Sequence, residues 1–394
     1  MSSQDIVTRT DRHLMATYAR APVAFVRGDG ARLWDADGKE YLDLFACLAV
    51  ANLGHAPRAV AEAITAQTAK LFHVSNLHYC EPQMRLAEVL CERSFADRVF
   101  LCNSGAEANE AAIKLARRWG HANGGQRFEI VTALGSFHGR TLATLTATGQ
   151  EKVRVGFQPL PGGFRYVPYD DLGALDRALT DTTAALLLEP VLGEGGVVVP
   201  SPEYLTGARA LCDERGILLV LDEIQVGMGR TGTLFAYEQA GIVPDVMTLA
   251  KALASGIPIG ACLARADVAA AFDAGSHGST FGGNAVAAAA AVKTLEIMTA
   301  PDFLPDVRRR AARFRAGLDR IAARSPAVRG VRGVGFIQGM LLSEPGAPIV
   351  TRCLERGVLL NCTADTVLRF LPPLVITERE IDQALAIVEE VLSS

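Results

Sequence analysis

The chain has 394 residues, 49% of them hydrophobic, and a formal net charge of −4. That length is enough for two ordinary domains, and the acidic balance argues against nucleic acid or an anionic membrane as partner. No apolar stretch approaches the ~20 residues of a membrane span, and residues 1–10 lack the apolar core of a signal peptide, so a cytoplasmic protein without membrane attachment is expected. The eight cysteines are scattered without a Cys-x-x-Cys and read as reduced thiols; the seven histidines show no metal spacing, so no metal is expected.

In chain order, the first dozen residues are polar and are expected to be loose. Residues 25–43 read as short strands joined by turns at Asp29-Gly30 and Asp37-Gly38. Residues 57–72 and 82–91 have helical periodicity, with the loop His73-Val74-Ser75-Asn76 between them. From Val99 onward short apolar runs alternate with helical segments, the signature of a parallel sheet flanked by helices. The runs are 99–102, 130–133, 184–188, 216–221 and 246–250, and a further run at 260–264 would turn back. Ser201-Pro202-Glu203 opens a helix that Gly216 closes. A long helix is expected from about Leu295, with Arg308-Arg309-Arg310 as a solvated basic face. Residues 333–342 and 367–370 read as strands, and Thr377 with Glu380 forms a capping box before the last helix.

Two of these runs end in charge. The run 216–221 ends in Asp222 and the run 246–250 ends in Lys251. Ligands of open α/β sheets bind outside the carboxyl ends of the strands, so this acid and this amine can face one ligand. A carboxylate for a pyridine nitrogen and a lysine for an aldehyde are what pyridoxal phosphate needs from a protein. Taken alone, the pair reads equally as a buried ion pair or as two solvated strand ends. Three loop motifs add to it. Asn103-Ser104-Gly105-Ala106-Glu107-Ala108-Asn109 has a capping box in Ser104 and Glu107, which leaves the N–H groups of Gly105 and Ala106 at a helix start suited to phosphate. Ser136-Phe137-His138-Gly139-Arg140-Thr141 follows a strand, and Gly278-Ser279-Thr280-Phe281-Gly282-Gly283-Asn284 precedes an Ala-rich segment. Each motif alone has a bland reading as a cap, a turn or a loop. Gly333-Val334-Gly335-Phe336 lacks the third glycine and the following helix of a dinucleotide site.

In this order and spacing, with Asp222 and Lys251, the motifs resemble the class III (ω-amino) aminotransferases among the fold type I pyridoxal-phosphate enzymes. The resemblance runs from about Thr17 to the C-terminus. Residues 18–23, 52–55, 75–77 and 369–374 share it, and it is strongest toward the bacterial branch that acts on N-acetylornithine. It implies a large domain with a mostly parallel sheet flanked by helices (53–294) and a smaller α+β domain built from residues 1–52 and 295–394. It implies pyridoxal 5'-phosphate as cofactor, with Lys251 and Asp222 catalytic and Ser104, Gly105, Ala106, Phe137, His138, Ile224, Gln225 and Thr280 around the cofactor. Phe137 would stack on the ring, Gln225 would serve its phenolic oxygen, and Thr280 would reach the phosphate of a partner chain, making a homodimer with shared sites. Arg140, Ser279, Glu194 and Arg369 are the implied substrate residues, with Arg140 and Arg369 suited to two separated carboxylates.

The implied reaction moves the δ-amino group of N2-acetylornithine to 2-oxoglutarate, giving N-acetylglutamate 5-semialdehyde and glutamate in arginine biosynthesis. Succinylornithine, succinyl-diaminopimelate, ornithine and 4-aminobutyrate are rival donors that would use the same residues. A non-catalytic regulator is the alternative of another class, disfavoured because Lys251 and Asp222 are both present. Three departures bear on substrate preference: Leu192 stands where the family commonly has Gln, Val226 where it has Thr, and Cys47-Leu48 where Gly-Ile is commoner.

Overall fold

The computed structural model describes residues 1–393. Seven strands form one sheet in the order Arg98–Cys102, Gly260–Ala264, Val246–Leu249, Leu218–Asp222, Thr183–Leu188, Glu129–Ala133 and Phe164–Val167. Gly260–Ala264 is antiparallel to both neighbours and the remaining pairs are parallel, as the sequence pattern predicts. Alternate residues of the central strand enter opposite layers. Leu218 and Val220 pack with Ala111, Ala112 and Leu115 of the helix Gly105–Gly124, whereas Leu219 and Leu221 join the layer containing Ala287 and Ala291 of the helix Ala285–Met298. Burial on both faces is why these strands read as unbroken apolar runs. Helix Ala285–Met298 also packs on Arg58–Thr68 and Glu81–Arg93, its alanines allowing close approach.

A second core brings the two ends of the chain together. Leu42 and Leu44 share it with Phe314, Phe336, Phe370 and Leu385. Val358–Leu359 pairs in parallel with Glu40–Asp43, extending the sheet formed with Phe25–Asp29 and Arg32–Asp35. Beside it, Val328–Val334, Ile337–Leu342, Val367–Phe370 and Asn361–Thr363 form an antiparallel sheet in that order. Fully buried Arg230 joins this region to the large sheet, donating to Phe336 O at 3.0 Å, to Pro372 O at 2.5 Å and to the Asn52 side chain.

Several local expectations need correction. The first residues are not loose: Ser3–His13 is a helix, with Ser2 Oγ accepting from Asp5 N at 3.1 Å and the Asp5 carboxylate accepting from Ser2 N at 3.0 Å. The long helix expected from Leu295 is two, Ala285–Met298 and Phe303–Arg324, separated where Pro301 disfavours helical geometry in the residue before it. Residues 333–342 are not one strand: Gly333 and Val334 end the first arm of a hairpin and Ile337–Leu342 is its second arm. Ser201 stands at its helix start without capping it, its hydroxyl donating instead to Asp170 at 2.7 Å. The basic triplet is not simply solvated: Arg308 donates to Gly232 O and Arg310 to Ile376 O, both at 2.8 Å, while Arg309 pairs with Asp306 and Glu378. The Thr377–Glu380 capping box is present. Among the described residues no helix is long and apolar enough to cross a membrane.

Candidate active site

Loops from the carboxyl ends of five strands close around a cleft of about 430 Å³. Asn103 and Ser104 follow Cys102, Phe137 follows the strand Glu129–Ala133, Glu189 follows Leu188, Asp222 ends its strand, and Lys251 follows Val246–Leu249. The cleft brings together Ser104, Gly105, Ala106, Phe137, His138, Arg140, Glu194, Asp222, Ile224, Gln225 and Lys251. Residues up to 147 positions apart in sequence thus meet because parallel strands deliver all their carboxyl ends to one edge.

Asp222 is buried and held from three directions. Its Oδ2 accepts from Asn109 Nδ2 at 2.8 Å and lies 2.8 Å from His138 Nδ1, and its Oδ1 accepts from Ile224 N at 3.1 Å. The acceptor nature of the carboxylate assigns the proton on His138 Nδ1, leaving Nε2 to accept from the Thr132 hydroxyl at 3.1 Å. His138 therefore supports Asp222 from behind. Asn109 is fixed in turn by Thr248, whose hydroxyl donates to its Oδ1 at 2.8 Å. Lys251 begins a short 3-10 helix with φ 41°, and burial lowers its pKa while Glu194, Asp222 and Glu189 oppose that shift. A lowered pKa makes the free amine accessible.

At the opposite wall, Ser104 caps the helix Gly105–Gly124 by accepting from Glu107 N at 3.2 Å. The Glu107 carboxylate completes the cap one residue early, accepting from Asn103 N at 2.8 Å. The helix start leaves the N–H groups of Gly105 and Ala106 without intrahelical acceptors, a suitable setting for phosphate. This helix start, the supported Asp222 carboxylate, the amine with lowered pKa and the ring of Phe137 fit a phosphorylated pyridine aldehyde. Arg140, at the rim, places its guanidinium carbon 5.4 Å from the centre of the Phe137 ring.

Arg369 lies fully buried behind Glu194. Its Nη1 donates to Glu194 Oε1 at 2.6 Å and to Gln225 Oε1 at 3.2 Å, and its Nε donates to Asn361 Oδ1 at 3.2 Å. Its Nη2 has no partner among the described residues. Burial works to raise the Glu194 pKa, but the adjacent guanidinium and the hydrogen bonds hold it below the ordinary value.

Ser279 and Thr280 do not line this cleft. Ser279 touches its edge indirectly, its Oγ accepting from Asn103 Nδ2 at 3.1 Å, and Thr280 is exposed on the same loop. Of the three departures, Leu192 and Val226 are buried apolar side chains. Cys47 and Leu48 occupy left-handed backbone, φ 54° and 67°, within a run of positive φ from Ala46 to Ala49. A glycine is favoured at such a position because it has no Cβ to clash.

Sequence reasoning missed Glu189, Asn109 and Asn361. Buried Glu189 accepts from Phe137 N at 2.8 Å and from Gly193 N at 3.3 Å, joining the aromatic wall to the loop that carries Glu194; burial pushes its carboxyl up to about 7. A lone Asn within an Ala-rich helix was the available signal for Asn109. A carboxylate directly after an apolar run, as at Asp222, was the signal for Glu189.

Residues 15–392 match the family model described as Aminotransferase class-III. The acetylornithine aminotransferase of Caldanaerobacter subterraneus is 48% identical over 390 residues, covering 98% of this chain and 99% of the relative. That of Gloeobacter violaceus is 50% identical over 386 residues, covering 97% and 96%. Among solved structures, the ornithine aminotransferase of Toxoplasma gondii superposes with a TM-score of 0.96 at 34% identity, covering 100% of this chain and 95% of that one. The N-acetylornithine aminotransferase of Stenotrophomonas maltophilia gives 0.85 at 39% identity, covering 98% of each. The chain belongs to the class-III aminotransferases, enzymes that use pyridoxal 5'-phosphate.

Proposed function

We propose that the protein transfers the δ-amino group of N2-acetyl-L-ornithine to 2-oxoglutarate, producing N-acetyl-L-glutamate 5-semialdehyde and L-glutamate. The observation that carries this reading is the buried Arg369, paired with Glu194 while its Nη2 has no partner among the described residues. One substrate brings an α-carboxylate beside its reacting amine and the other brings only a methylene there. A cation with a removable counter-charge suits both. The relatives that are 45–50% identical and named acetylornithine aminotransferases support the same donor.

Pyridoxal phosphate, when bound, supplies an electron-accepting ring and carries the amino group between the two substrates. Lys251 holds the cofactor between turnovers and moves the proton at the amine-bearing carbon. Asp222, oriented by His138 and Asn109, keeps the pyridine nitrogen protonated. Gly105, Ala106 and Ser104 would hold the phosphate, and Phe137, Ile224 and Gln225, which line the same cleft, would hold the ring. Arg140 binds the carboxylate at the far end of either substrate; Ser279, which does not line this chain's own cleft, would join it from the second copy of the dimer. Glu194 covers Arg369 for acetylornithine and yields it to the α-carboxylate of glutamate.

The same reading makes the protein a cytoplasmic homodimer in which Thr280 reaches the partner's phosphate site. Exposed Phe72, Leu77, Tyr79 and Phe281 lie on two segments joined where Asn76 Nδ2 donates to Ser279 O at 2.8 Å, and these exposed apolar side chains suit contact with a second copy. Residues 53–294 would form the cofactor domain, and 1–52 with 295–394 the small domain; the two cores support a division of this kind, with Leu295 and Met298 at the end of helix Ala285–Met298 still in the larger core.

The test is a panel of amino donors with 2-oxoglutarate, ranked by kcat/KM. Acetylornithine should exceed ornithine and 4-aminobutyrate, and Arg140→Ala should remove most of that advantage. A 4-aminobutyrate preference would overturn the substrate assignment while leaving the aminotransferase family intact.

A further inference from the structure

A guanidinium offers a carboxylate two good docking edges: the end formed by Nη1 and Nη2, and the side formed by Nε and Nη2. In Arg369 these edges are not equivalent. Asn361 and Arg369 face each other as Cα partners on adjacent antiparallel strands, which puts their side chains on one face of the sheet. Asn361 Oδ1 accepts from Nε at 3.2 Å and so occupies the side edge. Nη1, in contrast, belongs to the end edge that Glu194 contacts at 2.6 Å. Thr363, two residues along the same strand, donates its hydroxyl to the Glu194 backbone carbonyl at 2.5 Å, so one short strand positions both members of the ion pair.

We infer that Asn361 is a positioning residue for substrate selection: by occupying the side edge of Arg369, it confines an incoming α-carboxylate to the edge held by Glu194. Binding of the carboxylate and pairing with Glu194 then become mutually exclusive, as an exchange between two kinds of substrate requires. Without Asn361, a carboxylate can dock on Nε and Nη2 while Glu194 remains on Nη1. This rests on the proposed exchange at Arg369 and adds what makes that exchange all-or-none.

The experiment uses the holoenzyme and glutarate, a dicarboxylate with no amine or ketone to react. Calorimetry measures its Kd in the natural protein, Glu194→Ala, Asn361→Ala and the double variant. With Asn361 present, Glu194→Ala removes a competitor and should tighten glutarate about tenfold. In the Asn361→Ala background the same change should alter Kd by less than about twofold, a non-additivity that a purely structural role would not produce. Asn361→Asp keeps an acceptor on Nε and should restore the dependence on Glu194. Half-reactions provide a second readout: Asn361→Ala should change the KM for glutamate much more than that for acetylornithine, with the larger effect in KM than in kcat. An equal effect of Glu194→Ala in both Asn361 backgrounds would overturn the role of Asn361 alone. No effect of Glu194→Ala on glutarate in the otherwise natural protein would overturn the exchange at Arg369 and this inference with it.

Discussion

Replacing Glu194 with alanine should split the two half-reactions. In the natural protein its carboxylate lies 2.6 Å from Nη1 of an Arg369 side chain that is 0% exposed. Deleting one partner of a buried ion pair costs about 3–5 kcal/mol when the remaining charge finds no substitute. Glu194 itself is 28% exposed and Gln225 still accepts from Nη1, so solvent screening and that contact reduce the penalty to about 2 kcal/mol. The penalty falls on the acetylornithine half-reaction, in which no substrate carboxylate reaches Arg369. In the glutamate half-reaction the α-carboxylate takes the place of Glu194, and the rate should hold or rise. The ratio of kcat/KM values should therefore shift toward glutamate by about 30-fold. The assay is single-turnover absorbance of the bound cofactor, with each amino donor mixed separately. Equal losses in both half-reactions would show that Glu194 only supports the loop, and the exchange at Arg369 would have to be abandoned.

Two further outcomes follow from the same structure. Cys47→Gly relieves a left-handed backbone position, and the relief of roughly 1–2 kcal/mol, less the chain entropy of glycine, should raise stability by about 0.5–1 kcal/mol; an unchanged or lower urea midpoint would refute the strain argument. Burial raises the Glu189 carboxyl from 4.5 to about 7, so between these values the folded protein binds more protons than the unfolded chain and stability falls as pH rises. Glu189→Gln should flatten the fall in the urea midpoint across that window, on the order of 1–3 kcal/mol in total. A fall of the same size in the variant would contradict the assignment.

The parts of the site legible in the sequence are those that local rules mark. Asp222 and Lys251 stand out because charge follows an apolar run, and Gly105 and Ala106 because a capping residue precedes an Ala-rich helix. Asn361 could not be found this way. Its significance comes from facing Arg369 across two antiparallel strands, and nothing between residues 361 and 369 indicates that the side chain completes a guanidinium. Glu189 acts on backbone N–H groups 52 and 4 residues away, and only the folded sheet makes both contacts possible. The large sheet was legible because burial on both faces leaves long apolar runs, whereas the small sheets, partly exposed, left weaker patterns. The N-terminal helix was missed for a related reason. Its cap, Ser2 with Asp5, is a valid helix signal, but the segment has only Ser3 buried, so no apolar stripe announces it.

The assignment of Lys251 stands or falls on where the cofactor is covalently attached. Lys251 shares the cleft with Asp222, Phe137 and the helix start at Gly105, and burial lowers the pKa of its amine. Borohydride reduction of the holoenzyme followed by peptide mass mapping should place the cofactor on Lys251, and Lys251→Ala should lose both the adduct and the visible absorbance of the bound cofactor. An adduct on another lysine, such as Lys152, or visible absorbance retained in Lys251→Ala, would contradict the account.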